Sequence, residues 1–361
     1  MLFEEFSNVH GVSSGALGVT YGAASLIAGV GTLATGRRLD ALGPTAVLGL
    51  VGPVGAVLLI VSSFQYGSLF LVLYACGGGL VGSAGFYAFT QPLAVRLVDL
   101  EPARAITRLT IWGALSSPVM IPLTEGLRAE FGWQVAVRAP AALAGVLFVA
   151  CAISCRPRQC DARVATSFVA AISEAVQSRM IRRFSVAGFL GGLATSTLLV
   201  YQLPTLTWAG VASGIAAGYA SARGFLQLAG RLPLVAAIHR WGAARLMMIA
   251  RLLVGLSAFL LIGSGTWWIG VAYVVVAGVS IGALSALDGV VARQVIGPSN
   301  FGTVMAVVGL FATIGGSVGP VIGGVLRDRF DSPAATLALV VIAVWLSVAV
   351  LASMRLTSRR D

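Results

Sequence analysis

Long apolar stretches, bounded by charged residues or by Gly and Pro, follow one another along almost the whole chain. Eleven of them approach or exceed the ~20 residues that a helix needs to cross a bilayer, and none alternates with the period of two expected of a membrane β-strand. The chain is 58% hydrophobic and only 10% charged, whereas a soluble domain is roughly a quarter charged. The sequence therefore predicts an all-α polytopic membrane protein and excludes a soluble globular domain. The predicted spans are Val12–Thr35, Ala46–Phe64, Leu69–Val95, Ala105–Leu127, Ala136–Ser154, Phe184–Leu206, Val211–Ile238, Leu246–Gly263, Trp267–Ala292, Thr303–Leu326 and Ala334–Ser353.

The basic residues, all of them arginines, are distributed unevenly between the two sides of this predicted membrane. If Arg37 marks the cytoplasmic end of the first span, 17 of the 24 lie on the cytoplasmic side, four lie outside and three fall within spans. Cytoplasmic loops are enriched in basic residues. The pattern predicts a multi-pass protein of the cytoplasmic (inner) membrane with a cytoplasmic C-terminus, and it explains the net charge of +11 without a nucleic-acid partner.

A gapless internal repeat relates the two halves of the sequence. At an offset of 199 residues Gly11 falls on Gly210 and Gly43 falls on Gly242. Two parallel helical repeats joined by a linker are an architecture of secondary transporters. We therefore predict two six-helix-type pseudo-repeats, with an N-terminal half of five spans at 1–155, a cytoplasmic linker at 156–183 and a C-terminal half of six spans at 184–361.

The same offset leaves the first span of the C-terminal half without a counterpart. The residues equivalent to Phe184–Leu206 would precede Met1, except for the last few, Met1–Ser7. We therefore interpret the chain as lacking the first transmembrane helix of its first repeat, and we expect that helix to be encoded upstream.

The linker carries an apolar residue at every fourth position. This spacing predicts an amphipathic helix lying on the inner membrane surface, and a solvated linker helix is the alternative. The apolar residues are Val164, Phe168, Ile172, Val176 and Met180.

A short Gly- and Arg-containing segment follows the first span. It has a Gly, an Asp four residues later and a Gly three residues after that, and it resembles the signature loop between the second and third helices of the major facilitator superfamily. The basic residues that usually follow the Asp and the second Gly are absent. The resemblance implies a gating loop, in which a carboxylate at a helix end caps a neighbouring helix or pairs with Arg. Its residues are Gly36, Arg37, Arg38, Asp40 and Gly43.

A second segment resembles the Gly/Pro-rich packing motif of the same superfamily. Gly permits close helix approach and Pro a kink, and both suit a helix that changes its orientation during transport. The segment Phe131-Gly132-Trp133 further resembles monocarboxylate and oxalate–formate type members. The motif consists of Gly315, Gly319, Pro320, Gly323 and Gly324.

Polar residues inside the spans are the strongest indication of a binding site, because each is costly in a membrane. Arg223, Gln227 and Arg231 recur at i, i+4 and i+8 and so share one helix face. In organic-anion members of the superfamily the equivalent helix carries an Arg proposed to bind the substrate carboxylate, and Arg231 matches it by position. Asp288 is expected to pair with Arg231 or to carry a coupled proton. A purely structural role is the alternative for each.

The resemblance implies a secondary active transporter that moves a small solute by alternating access. The intramembrane arginines favour an organic anion, most simply a carboxylate. A drug-like or cationic solute exporter, or a non-transporting remnant without the first helix, are the alternatives. We expect no enzymatic activity, no metal and no cofactor, with proton coupling left open, and we expect a monomer whose partners are its solute and the lipid bilayer.

Overall fold

Helices form the regular structure of the part of the chain that the computed structural model describes, which is residues 6, 9, 11, 14–98, 101–155, 173, 176–297, 301–330 and 332–354. No strand occurs among these residues. The helices are α1 (Ser14–Leu42), a π-helical segment (Val47–Val51) continuing into α2 (Gly52–Ser62), α3 (Gly67–Gly85), α4 (Tyr87–Leu97), α5 (Pro102–Ala114), α6 (Ser116–Phe131), α7 (Trp133–Ser154), α8 (Arg179–Trp208), α9 (Ser213–Arg231), α10 (Leu234–Trp241), α11 (Ala243–Ile262), α12 (Trp267–Ile296), α13 (Phe301–Phe330) and α14 (Pro333–Ala352).

Each predicted span coincides with one helical element or with two consecutive ones. Within the described residues, eight segments are long and apolar enough to cross a membrane. The other three predicted spans correspond to the shorter apolar helix Val47–Ser62 and to the interrupted pairs α5–α6 and α9–α10. The protein is thus an all-α polytopic membrane protein. The eight segments are Val19–Gly36, Gly67–Leu97, Trp133–Ser154, Arg179–Trp208, Ala243–Ile262, Trp267–Ile296, Val304–Arg327 and Pro333–Ala352.

Three spans that the sequence predicts as continuous are interrupted in the structure. The span Leu69–Val95 is divided at Phe86, whose backbone is extended, and Ala105–Leu127 is divided at Leu115. The span Val211–Ile238 is divided at Leu232 and Pro233. Proline has no N–H with which to continue the helical hydrogen bonds. The break at Leu115 lies three residues before Pro118, and the break after Arg231 includes Pro233. Arg231 is consequently the last residue of a helix and not an interior one.

The repeat is present in the backbone. Moved by 199 residues, α1 covers 213–241, from the start of α9 to the end of α10, and α5–α6 covers 301–330, the bounds of α13. The matched glycines also agree: φ is 79° at Gly43 and 81° at Gly242, and 63° at Gly11 and 88° at Gly210. Residues with a Cβ rarely adopt such positive φ values. Gly43 and Gly242 each follow the last residue of a helix, so these two glycines terminate equivalent helices in the two repeats.

The segment that resembles the signature loop is mostly helical, which corrects the predicted loop. Helix α1 continues through Gly36 and Asp40 and ends only before Gly43. Near this end the Arg96 Nη1 donates to the Leu39 carbonyl at 2.8 Å, which satisfies an acceptor that the helix terminus leaves free. The side chains of Arg37 and Asp40 lie outside the described part of the structure, and Arg38 is exposed.

Most of the predicted linker helix lies outside the described residues. That applies to Val164, Phe168 and Ile172, whereas Val176 is exposed and Met180 belongs to the first turn of α8. The amphipathic helix therefore stays a prediction.

The helices form two compact units. Each unit corresponds to one repeat, except that each includes a short segment from the other repeat. Residues 98–118, which include α5, belong to the second unit, and residues 299–313, which correspond to 100–114 at the 199-residue offset, belong to the first. Within the second unit α5 packs beside α9, α10 and α12. The first unit comprises Met1–Leu97, Val119–Glu174 and Ser299–Thr313, and the second comprises Val98–Pro118, Ala175–Pro298 and Ile314–Asp361.

The first unit contains an aromatic cluster. The rings of Phe6 and Phe70 meet edge to face with centroids 4.9 Å apart, and the Trp133 ring lies 5.6 Å from that of Phe70. Tyr74 joins them at 5.4 Å from Phe70. Edge-to-face pairs of this kind stabilise a core beyond their buried area.

In the second unit, the Gly/Pro-rich segment of α13 lies directly against α8. A Cβ at Gly315 would overlap the Phe189 carbonyl, and one at Gly319 would lie 2.6 Å from the Leu193 carbonyl. Gly323 and Gly324 face the Tyr201 ring, whose hydroxyl donates to the Pro320 carbonyl at 2.8 Å. Any larger residue at the first two positions would force the two backbones apart, so glycine permits this helix crossing.

Candidate functional site

Three buried arginines lie in the second unit, where the sequence predicts the binding site. Arg223 and Arg231 belong to α9 and Arg251 belongs to α11, and their exposed fractions are 8%, 2% and 4%. A buried guanidinium must be paired or hydrogen-bonded to offset its lost hydration. The three differ in their partners: Arg231 donates from all three of its guanidinium nitrogens, whereas Arg223 Nη1 and Arg251 Nε are buried without a hydrogen-bond partner among the described residues.

Arg231 joins three helices through its guanidinium. Its Nε donates to the Gly282 carbonyl of α12 at 3.1 Å, its Nη1 donates to the Thr110 carbonyl of α5, and its Nη2 donates to Gln227 Oε1 at 3.2 Å. A Cβ at Gly282 would overlap the Gln227 carbonyl, so the backbones of α9 and α12 are in contact here. The predicted pairing of Arg231 with Asp288 does not occur in the structure.

Asp288 pairs with Arg251 instead. The Arg251 Nη2 lies 3.1 Å from Asp288 Oδ1, and the exposed side-chain fractions are 5% and 47% respectively. The guanidinium lies against Gly191 of α8, where any Cβ would overlap Nη1. The sequence did not predict Arg251 as the partner of Asp288, because the spacing of residues along one helix does not show how α11 and α12 align with each other. The available sequence signal was an arginine in the middle of an apolar span.

Arg223 has a different environment, a polar cluster between α8, α9 and α12. Its Nε donates to Gln202 Oε1 at 3.0 Å, and the Tyr273 hydroxyl donates to the same oxygen at 2.9 Å. Its Nη1 is buried and has no hydrogen-bond partner among the described residues. Sequence reasoning did not select Gln202 or Tyr273, although a glutamine inside an apolar span was a signal available to it.

The predicted polar stripe of α9 therefore divides into two groups. Gln227 and Arg231 bond to each other and to neighbouring backbones, whereas Arg223 bonds across to α8. The cluster around Arg223 also belongs to one repeat only: at the 199-residue offset Arg223 corresponds to Ala24, although Tyr273 corresponds to Tyr74. Packing requirements that both repeats share therefore do not account for the presence of Arg223.

The polar cluster contains a buried hydrogen-bond donor, Arg223 Nη1, that has no acceptor among the described residues. A guanidinium nitrogen without an acceptor, buried beside a neutral amide, suits an anionic oxygen and disfavours a cation. Within the described residues, no group of three His, Cys, Asp or Glu side chains is placed to hold a metal ion.

Comparison with known proteins identifies the fold. The sequence matches no protein-family model and no curated protein. Solved structures of major facilitator superfamily transporters share the fold over nearly the full chain. The E. coli fucose:proton symporter FucP is 17% identical, with a TM-score of 0.70 covering 98% of this chain and 92% of that one.

Two further structures are similar to the same extent. The proton:xylose symporter XylE, bound to 6-bromo-6-deoxy-D-glucose, is 12% identical with a TM-score of 0.73, covering 96% of this chain and 89% of that one. The human organic anion transporter MFSD10 (TETRAN) is 19% identical with a TM-score of 0.73, covering 97% and 88%. At these identities the similarity establishes the major facilitator fold.

Proposed function

We propose that this chain, which has the fold of the major facilitator transporters, is a secondary active transporter of a small organic anion. The solute, most simply a carboxylate, crosses the cytoplasmic membrane by alternating access. The observation that carries the proposal is the buried guanidinium of Arg223, which keeps a free Nη1 inside a polar cluster of three membrane helices. Intramembrane charges of this kind mark solute pathways.

The balance of buried charge favours an anion over a drug-like or cationic solute. Among the described side chains of the second unit, Arg223 has no carboxylate partner, whereas Arg251 is paired with Asp288. A cation near the Arg223 guanidinium would be repelled in a medium of low dielectric constant. The fold does not decide the substrate class, because the similar structures include sugar symporters and an organic anion transporter.

Arg231 and Gln227 complete the proposed binding site in a second conformation. In the present one, the Arg231 donors are engaged by two backbone carbonyls and by Gln227. Movement of α5 away from α9 would remove the Thr110 carbonyl and free Nη1 for the solute. In this proposal Arg223 contacts the anion first, and Arg231 joins when the helices rearrange.

The proposal is tested by transport into proteoliposomes with a panel of radiolabelled formate, oxalate, lactate and pyruvate. We expect uptake of at least one of them by the wild-type protein. Arg223→Ala should lower kcat/KM at least about 30-fold, because truncating a buried charged partner costs about 2 kcal/mol or more, and Arg223→Lys should recover part of the loss. Transport of none of the four, with uptake of an organic cation instead, would contradict the proposal.

The orientation of the chain is a separate prediction. A cysteine introduced after Asp361 should be protected from an impermeant thiol reagent in intact cells, because the arginine distribution places that end in the cytoplasm. A cysteine in place of Ser332, between α13 and α14, should be labelled. Labelling of the C-terminal cysteine alone would reverse the orientation.

A further inference from the structure

The arrangement around Gln202 determines which charge the site accepts. We infer that Gln202 is a specificity-determining residue for anionic solutes and that Tyr273 positions its amide. This inference rests on the proposed function and extends it to two residues that the sequence did not single out.

The orientation of the Gln202 amide follows from its partners. The Nε–H of an arginine is a donor and cannot accept a hydrogen bond. The Gln202 atom 3.0 Å from Arg223 Nε is therefore its carbonyl oxygen. The Tyr273 hydroxyl, 2.9 Å from the same oxygen, must then donate its proton there. Two donors on one oxygen hold the amide in a single orientation.

The Gln202 amide nitrogen is consequently directed away from both partners. Both hydrogen bonds that Gln202 makes within the described residues are to its oxygen, and Arg223 Nη1 is buried without an acceptor. The proton of the Tyr273 hydroxyl is already committed to Gln202 Oε1. The groups left for a ligand are therefore the N–H groups of one guanidinium and one amide, which require an acceptor such as a carboxylate oxygen.

A neutral amide is essential to this arrangement. A glutamate at position 202 would accept the same two hydrogen bonds, but it would neutralise Arg223 and present no N–H to the solute. Glutamine, by contrast, orients the guanidinium without cancelling its charge. The cluster is thus built so that the positive charge of Arg223 remains available.

The test compares three single substitutions of the full chain in proteoliposomes. Each variant is assayed with two solutes: the carboxylate of the panel that the wild type transports fastest, and the primary amide of that carboxylate. Gln202→Glu should raise KM for the carboxylate at least about 30-fold. Tyr273→Phe, which frees the amide to rotate, should raise it about 3- to 10-fold. Both should lower the preference for the carboxylate over its amide, which a merely structural defect would not change.

Tyr219→Phe is the matched control. The Tyr219 hydroxyl also links α9 to α12, donating to the Trp267 carbonyl at 3.4 Å, but it does not contact Gln202. We expect less than about a twofold change in KM and an unchanged preference. Melting temperatures in detergent establish that each variant is folded. If Gln202→Glu does not fold, Tyr273→Phe still tests the inference, because it removes only one oxygen atom.

The outcomes separate this inference from the proposed function. If the wild type transports a carboxylate and Arg223→Ala abolishes it, while folded Gln202→Glu and Tyr273→Phe keep wild-type KM and preference, the inference is overturned and the proposed function stands. If the wild type transports no carboxylate, the proposed function fails first.

Discussion

Replacing Asp288 with alanine is expected to remove most of the folded protein, and replacing Arg251 at the same time is expected to restore it. Without Asp288 the buried Arg251 guanidinium is left uncompensated, which costs about 3–5 kcal/mol, whereas removing both partners often costs little. Arg251 is 5% exposed at its side chain and lies 3.1 Å from Asp288. The measurement is the yield of monodisperse protein and its melting temperature in detergent.

Two further substitutions define the cause of this effect. Gly191→Ala should reproduce the loss, because its Cβ would overlap the Arg251 guanidinium and displace it from the pair. Arg240→Ala, at an exposed position beside Trp241, is the control and should leave the yield unchanged. Equal stability of the Asp288→Ala single variant and the wild type would show that the pair does not stabilise the fold.

The same double variant distinguishes a structural pair from a proton-coupling pair. If Asp288 is only the counter-ion of Arg251, the Arg251→Ala/Asp288→Ala protein will fold and its transport will respond to a pH gradient as the wild type does. If Asp288 carries a coupled proton, the protein will fold and transport, but a pH gradient will no longer drive accumulation.

Replacing Arg231 with alanine is expected to lower both stability and transport. Its guanidinium donates to carbonyl oxygens of α5 and α12, and each hydrogen bond from a charged group contributes about 1.5–3 kcal/mol. Loss of both should therefore lower the free energy of unfolding by about 3 kcal/mol or more. Arg231→Lys keeps the charge but lacks the planar fork, so it should fold better than Arg231→Ala and still transport poorly.

Melting temperature and KM together separate the two roles of Arg231. A structural contact alone predicts a lower melting temperature with an unchanged KM in the protein that remains folded. An anion ligand alone predicts the reverse, and the proposed function requires both changes. An unchanged melting temperature in Arg231→Ala would show that the bonds to Gly282 and Thr110 do not hold the three helices together.

Most of the architecture could be predicted from the sequence because it depends on local chemistry. Runs of about 20 apolar residues must form helices in a bilayer, where every backbone group needs an internal partner. The offset of 199 residues predicted equivalent helix ends, and Gly43 and Gly242 have matching positive φ values. Two of the three breaks within spans were missed because a single proline can either kink a helix or end it, and the break at Phe86 has no proline beside it.

The candidate site was predictable only in part. The cost of burying charge identified Arg223, Arg231 and Asp288, and the structure places all three in the second unit. Their partners depend on contacts between helices, which spacing along one helix does not encode. Asp288 bonds to Arg251 and not to Arg231, and Arg223 bonds to Gln202.

The sequence by itself thus determined the membrane environment, the helices and the repeat, because apolar length and glycine geometry act within a few turns of chain. Only the tertiary structure decided which partners each guanidinium has. Arg231 is engaged because close contact of α9 with α12 and the placement of α5 in the second unit bring two carbonyls to it. Arg223 keeps a free Nη1 because the helices around it supply one shared amide oxygen.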